Sequence, residues 1–299
     1  MDTKQALADM GIGDDALTPD QRRALDEDGL FVAADVFTPD EVAEMLAEFD
    51  RLTEIEGDFG GHEVHIEPGA PRLANLFNKS PAFDRALTCG PTLAAAHLLL
   101  GDIRVFSLNA RTPLKGQGQQ PLHSDVPRRW EGDWWLVNSV IMLDDMAEDN
   151  GPTRVVPGSH KWVSLNVPDV NLFGTKQIHR TPEDEGREPD DPLAPYPGEV
   201  MVMGKAGSVG VINGHIWHGG TTSASGRPRR VLHLSFARRD IPQQTDQSAH
   251  LTPELLARSN PAQRYLLDIE GAEPAVFGYP PLPTEARVWA HDDLRQSDA

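Results

Sequence analysis

The chain has 299 residues, with 27 Lys and Arg against 46 Asp and Glu, a formal charge of −19. That length supports one large or two ordinary domains with a sizeable core, and 39% apolar residues exclude disordered, collagen-like and coiled-coil classes. The acidic balance argues against a nucleic-acid surface, which would carry a basic stripe, and against an anionic membrane.

The first residues, Met1-Asp2-Thr3-Lys4, lack the basic-then-apolar run of a signal peptide, and the apolar stretch near Leu93–Leu100 is too short to span a bilayer. The expectation is a soluble cytoplasmic protein. Residues 1–60 read as a helical layer. Thr18-Pro19-Asp20 and Thr38-Pro39-Asp40 each combine an N-cap with proline at the first helical position, and Val42, Met45, Leu46, Phe49 and Leu52 follow at helical spacing. Between them, Gly29–Ala33 reads as a short buried strand. The single cysteine, Cys89, excludes an intrachain disulfide and a cysteine-cluster metal site, and reads as a small buried apolar residue.

From about residue 100 the character changes. Arg104–Ala110, Trp134–Leu143, Arg154–Val156, Ser208–Ile212 and Arg230–Ala237 are short β-rich runs separated by Gly, Pro and Asn-Gly. This spacing predicts a mainly β jelly-roll or barrel core over 100–240 rather than βαβ units. Residues 163–199 interrupt it with six prolines and the acidic run Glu183–Asp191, and read as a lid-like insert. Residues 240–299 form a C-terminal extension with one helical patch starting at Thr252-Pro253-Glu254. A single domain over 1–299 is the simplest account.

Non-haem iron sites use two His and one carboxylate on one face of the metal. The local half of such a site is His-x-Asp/Glu on extended chain, where residues i and i+2 point the same way. With 11 His and 46 acidic residues, about two such pairs arise by chance, so the pattern alone is weak. The chain has three: His65/Glu67, His123/Asp125 and His291/Asp293. The first runs into Pro68-Gly69, which breaks a strand, and the last sits in a charged tail without supporting walls. His123/Asp125, between a β-rich run and the aromatic strand at Trp134, has the better context, although a capping His and a solvated Asp would read the same. A further ligand should come from another strand. His215 and His218, three apart, do not share a face of an extended strand, and His218 precedes Gly219-Gly220, where backbone can approach a ligand closely. In the run that follows, Arg229, Val231, His233 and Ser235 alternate with Arg230, Leu232, Leu234 and Phe236. The second set suits packing against the helical layer and the first a cavity. A cavity-facing Arg229 would need an anion such as a carboxylate; the alternative is that Arg227, Arg229 and Arg230 are all solvated turn residues.

Together, His123-Ser124-Asp125, the run Asn150-Gly151-Pro152-Thr153-Arg154-Val155-Val156-Pro157-Gly158-Ser159-His160, and Trp217-His218 with Arg229 eleven residues on resemble the phytanoyl-CoA dioxygenase family of iron(II)/2-oxoglutarate-dependent oxygenases, over roughly residues 20–240. The resemblance implies a double-stranded β-helix (cupin-like) core, Fe(II) held by His123, Asp125 and His218, and Arg229 on the distal carboxylate of 2-oxoglutarate. It also implies cosubstrate contacts from Gln120, Thr153 and Ser225, while Ser223 stands where many members have Asn. O2 would be consumed and succinate and CO2 released as a C–H bond of a small-molecule substrate, expected to be a secondary metabolite or amino-acid-like compound, is hydroxylated or otherwise oxidised. Related halogenases lack the carboxylate, so Asp125 favours oxygenation. Gln-Pro-Leu-His-x-Asp looks more like the natural-product branch than the acyl-CoA hydroxylases, and Val126-Pro127-Arg128-Arg129 does not fit the ectoine hydroxylase signature. Phe106, Trp130, Trp134 and Trp135 are candidates for either the pocket wall or ordinary core. The alternatives are a cupin-like metal-dependent isomerase or hydrolase, which has no need of Arg229, and a catalytically silent ligand-binding barrel.

Overall fold

Proline at the first helical position starts helices at both expected places in the computed structural model, which describes residues 1–168 and 178–275 together with Gly278. Helix α1 spans Thr3–Asp9, α2 Pro19–Glu27 and α3 Pro39–Glu56, with strand β1, Leu30–Ala33, between α2 and α3. Thr18 and Thr38 close full capping boxes with Gln21 and Glu41, so each helix start has its free N–H groups satisfied locally. In α3 the Thr38 backbone N–H donates to Glu41 Oε2 at 2.8 Å and Glu41 N–H to Thr38 Oγ1 at 3.3 Å. Thr38→Ala is expected to lower stability by about 1 kcal/mol, seen as an earlier urea midpoint at unchanged m-value.

The β elements follow in order: β2 Arg72–Leu73, β3 Ile103–Arg111, β4 Leu136–Met142, β5 Thr153–Val155, β6 Val200–Val202, β7 Val209–Asn213, β8 His218–Gly220 and β9 Val231–Arg238. Helix α4, Gly90–Leu100, precedes β3; α5 (Pro253–Arg258) and α6 (Pro261–Leu267) follow β9. The apolar run at Leu93 is therefore a core helix, with Leu93, Ala95, Ala96 and Leu100 buried under the sheet and Leu98 exposed.

An antiparallel six-stranded sheet has the order β1-β7-β4-β9-β3-β2, and a second, three-stranded sheet the order β6-β5-β8. An antiparallel bridge between His123 and His218 lays the 119–125 segment along β8. This is the two-sheet, cupin-like arrangement expected, but among the described residues the sheets do not close into a barrel. One face of the large sheet packs on the helices: Val137 and Ile141 of β4, Val211 of β7, and Leu232, Leu234 and Phe236 of β9 share a core with Met45, Phe49 and Leu52 of α3 and Leu93 and Ala96 of α4. The opposite face looks toward the small sheet. Val140, Met142, Ile212 and Val231 meet Val155 and Val202 there, and the polar remainder lines a cavity.

Strand β3 breaks its alternation once. Between Val105 and Ser107 the register against β9 shifts by one residue, so Phe106 is the extra residue of a bulge. Ile103 and Val105 face the helices before it, and Leu108 and Ala110 after it, which leaves Ser107, Asn109 and Arg111 in the cavity wall. No helix among the described residues is long and apolar enough to cross a membrane.

Candidate metal centre and cosubstrate cavity

The bridge between His123 and His218 is what assembles the site. His123 N–H donates to His218 O and His218 N–H to His123 O, both at 2.9 Å, and this puts the two imidazoles side by side with ring centres 4.4 Å apart. Asp125, two residues on, points the same way. Its Oδ1 lies 3.8 Å from His123 Nε2 and 3.5 Å from His218 Nε2, and one donor atom from each residue falls within 4.8 Å of the others. The close approach depends on glycine: a Cβ on Gly219 would stand 3.0 Å from the carbonyl oxygens of Gln120 and Pro121, and one on Gly220 2.6 Å from Gly118 O.

The orientation of each donor suits a divalent cation. The Nδ1 of His123 lies 2.9 Å from Pro121 O and that of His218 2.9 Å from Ile216 O. A proton on each Nδ1, donated to these carbonyls, leaves the Nε2 lone pairs aimed at the cluster centre. Burial, then the neighbouring His218, hold the His123 imidazolium pKa down at about 4, so this ring is a neutral ligand at pH 7. Burial also opposes charge on His218, but Asp125 outweighs it and raises the pKa. Asp125 is itself desolvated, yet both imidazoles and a hydrogen bond from Asn138 hold its carboxyl well below the usual range. That bond, Asn138 Nδ2 to Asp125 Oδ2 at 3.1 Å, is backed by Ser235 Oγ donating to Asn138 Oδ1 at 3.0 Å. Asn138→Leu is expected to weaken Fe(II) affinity about 10- to 100-fold by loosening Asp125, measurable by anaerobic metal titration.

Arg229 ends a loop and enters the same cavity. It is 1% exposed; Nη2 donates to Thr153 Oγ1 at 3.0 Å, and Nε and Nη1 are buried with no partner among the described residues. Burial and the charge of Arg111 push its pKa down to about 9, so at neutral pH it is a desolvated cation with two free donors. Its neighbours behave differently: exposed Arg227 pairs with Asp149, and Arg230 with Asp144 and Asp50. The even-numbered face of β9 packs on the helices as expected, and Arg229, His233 and Ser235 line the cavity.

Gln120 and Thr153 also line it, and Gln120 Oε1 accepts the Gly220 N–H at 2.9 Å. Ser225 is not among the residues lining the cleft; its Oγ accepts the Arg227 N–H at 3.2 Å and shapes the turn before Arg229. Phe106 is in the wall, Trp135 is core, Trp134 packs by His160 and His215, and Trp130 is surface, stacked under Arg129. His215 is structural, its Nε2 accepting the Trp135 N–H at 3.1 Å. Glu67 is not a metal partner of His65. It accepts Arg111 Nε at 2.9 Å and Nη2 at 2.6 Å, and Arg72 Nη1 at 2.9 Å. These guanidiniums overcome burial and hold its pKa at about 2. His291 and Asp293 lie outside the described residues. A second acidic cluster, Glu56, His62 and Glu63, is filled by the buried Lys79 ammonium.

The expected lid falls partly outside the described residues, at 169–177. Pro168 before the gap lines the cavity, while the chain after it is pinned: Arg154 Nη2 donates to Pro192 O at 2.6 Å and Nη1 to Ala194 O at 2.7 Å. The cleft encloses about 130 Å³, and its lining combines the polar groups of the site with Phe106, Leu136, Val140 and Ile212. The roles of Asn109, Asn138 and Arg111 were not anticipated. The signal for Asn138 was present, as the one amide in the mainly apolar run Leu136-Val137-Asn138-Ser139-Val140-Ile141-Met142.

The chain's similarities agree with this geometry. The sequence model of the phytanoyl-CoA dioxygenase (PhyH) family matches residues 25–231. A protein named ectoine dioxygenase from Bordetella bronchiseptica is 30% identical over 236 residues, covering 74% of this chain and 76% of that protein. Among solved structures, the carbocyclase SnoK of nogalamycin biosynthesis superposes with a TM-score of 0.59 at 19% identity, covering 84% of this chain and 94% of that one. HygX from Streptomyces hygroscopicus, solved with nickel and 2-oxoglutarate, gives 0.55 at 20% identity, covering 76% and 89%. At such identities the two structures speak for a shared fold. The family pattern over 25–231, the 30% relative and the two-sheet fold together place this chain in the phytanoyl-CoA dioxygenase family of iron(II)- and 2-oxoglutarate-dependent dioxygenases.

Proposed function

We propose that His123, Asp125 and His218 hold the iron, that Arg229 seats the distal carboxylate of 2-oxoglutarate, and that the enzyme hydroxylates an unactivated C–H bond of a small metabolite. One observation carries the cosubstrate assignment: the two buried, unpartnered N–H groups of Arg229. A desolvated guanidinium with free donors calls for a planar anion, and an isomerase or hydrolase centred on the same metal would give it no task. Thr153 holds the guanidinium in place through Nη2. Gln120, tied to the Gly220 N–H, borders the space between the metal ligands and Arg229.

When bound, iron(II) with 2-oxoglutarate and O2 supplies oxidation of a C–H bond coupled to release of succinate and CO2. The protein's own share is orientation and dryness. Two imidazoles and one carboxylate converge from one side, so a metal they held would have room opposite them for cosubstrate and O2. Leu136, Val140 and Ile212 keep part of the wall apolar.

Anaerobic titration of the apoprotein with Fe(II) and then 2-oxoglutarate tests the reading. The expected result is the visible metal-to-ligand charge-transfer band of the chelate; folded, iron-loaded protein without a band would overturn it. Ectoine is the first compound to offer in a succinate-release assay, because the relative in B. bronchiseptica carries that name. The mismatch at Val126-Pro127-Arg128-Arg129 leads us to expect no turnover with it.

A further inference from the structure

The cavity has a polar wall that neither the iron nor the cosubstrate uses. Asn109, turned inward by the bulge at Phe106, is 5% exposed. Its Nδ2 donates to Gln244 Oε1 at 2.9 Å, and its Oδ1 is buried without a hydrogen-bond partner among the described residues. An unsatisfied buried carbonyl costs about 1–3 kcal/mol. An amide oxygen only accepts, so what relieves it must be an N–H or O–H. Gln244, by engaging Nδ2, keeps the oxygen as the free end.

Arg72 stands beside it. On β2, Arg72 pairs across from Arg111 of β3, and Asn109 is the next residue of that face, so the two are diagonal neighbours roughly 7–8 Å apart. Both line the cavity. Arg111 grips Glu67 with two nitrogens, and Arg72 shares one of the same oxygens. One carboxylate therefore balances two guanidiniums. Asp125 belongs to the metal ligands and Arg229 to the cosubstrate, while the double charges of Fe(II) and 2-oxoglutarate cancel. The loaded cavity keeps one positive charge in excess, on the Arg72 side. His233, opposite Asn109 on β9, adds none, because burial and the charges of Arg72, Arg229 and Arg111 hold its pKa well below the usual value.

We infer that Arg72 and Asn109 anchor the prime substrate, a small molecule that offers a carboxylate to Arg72 and an N–H or O–H donor to Asn109 Oδ1. This rests on the oxygenase reading above and narrows it to a substrate class. The two contacts would fix which carbon faces the metal, which makes both residues determinants of specificity.

The test uses the full chain loaded anaerobically with Fe(II) and 2-oxoglutarate and follows the shift of the charge-transfer band on adding probes. The probes are L-pyroglutamate and 6-oxopipecolate, the methyl ester of each, and the N-methyl lactam of each. We expect the free N–H acids to shift the band at concentrations about tenfold or more below those needed for the esters or the N-methyl acids. Arg72→Gln should remove the preference for acid over ester, and Asn109→Leu the preference for N–H over N-methyl, with the band before probe addition unchanged in both. Wild-type protein that binds esters and N-methyl acids as well as the parent acids, or shows no shift with any acid, overturns the inference without any variant. If wild type forms no band before the probes are added, the oxygenase reading has failed, and this inference with it.

Discussion

Replacing Arg229 with glutamine should weaken 2-oxoglutarate binding by about 30- to 4,000-fold while Fe(II) binding stays intact. Losing one partner of a buried, hydrogen-bonded charge pair costs about 2–5 kcal/mol, and 1.4 kcal/mol is tenfold. The direction for the free protein is opposite. Burial and Arg111 push the Arg229 pKa down to about 9, so the unfolded chain holds that proton more tightly than the folded one. A base shifted down in this way works against the fold at every pH where it is protonated. Arg229→Gln should therefore leave the apoprotein at least as heat-stable as wild type, whereas saturating 2-oxoglutarate with iron should raise the melting temperature of wild type only. A variant that binds 2-oxoglutarate normally would assign the carboxylate to another cation. Thermal scans and anaerobic titration on the same samples separate these results.

The second large effect is expected at Asp125. Outer-shell partners of a metal ligand are worth about 10- to 100-fold in affinity, and removing the ligand itself should exceed that. Asp125→Ala should lose iron on gel filtration and all measurable succinate release. Glu67, whose charge also reaches His123, cannot substitute, since both its oxygens are committed to Arg72 and Arg111. Asp125→Asn, which keeps shape and removes charge, should fail in the same direction, because a neutral amide is a much poorer ligand for Fe(II) than a carboxylate. Retained iron with full turnover in either variant would remove Asp125 from the ligand set.

Much of this was legible in the residues because the relevant spacings are local. The i, i+2 step brings His123 and Asp125 to one side, and the alternation of β9 separates Leu232, Leu234 and Phe236 from His233 and Ser235. The proline-capped helix starts depend only on a few neighbouring residues. What could not be read depends on contacts between distant segments. Strand β2 has two residues, and β8 is made of His218-Gly219-Gly220, which carries no strand propensity and is held by pairing on both sides. The partnership of Glu67 with Arg111 spans 44 positions, and nothing in the spacing of His65 and Glu67 hints at it.

The bulge at Phe106 acts like an extra letter in a reading frame. Before it, odd-numbered residues of β3 feed the helix-packed core; after it, even-numbered ones do. If the bulge were straightened with Phe106 kept in the ladder, simple alternation would exchange the faces from Ser107 onward, driving Asn109 and Arg111 into the core and Leu108 and Ala110 into the cavity; deleting Phe106 instead would join Val105 to Ser107 and keep every later face. Which side chains line this wall is thus set by the phase of one strand as much as by the identity of its residues. A one-residue insertion or deletion beyond the bulge, within Ser107–Arg111, would shift that phase and redraw the wall in a single step.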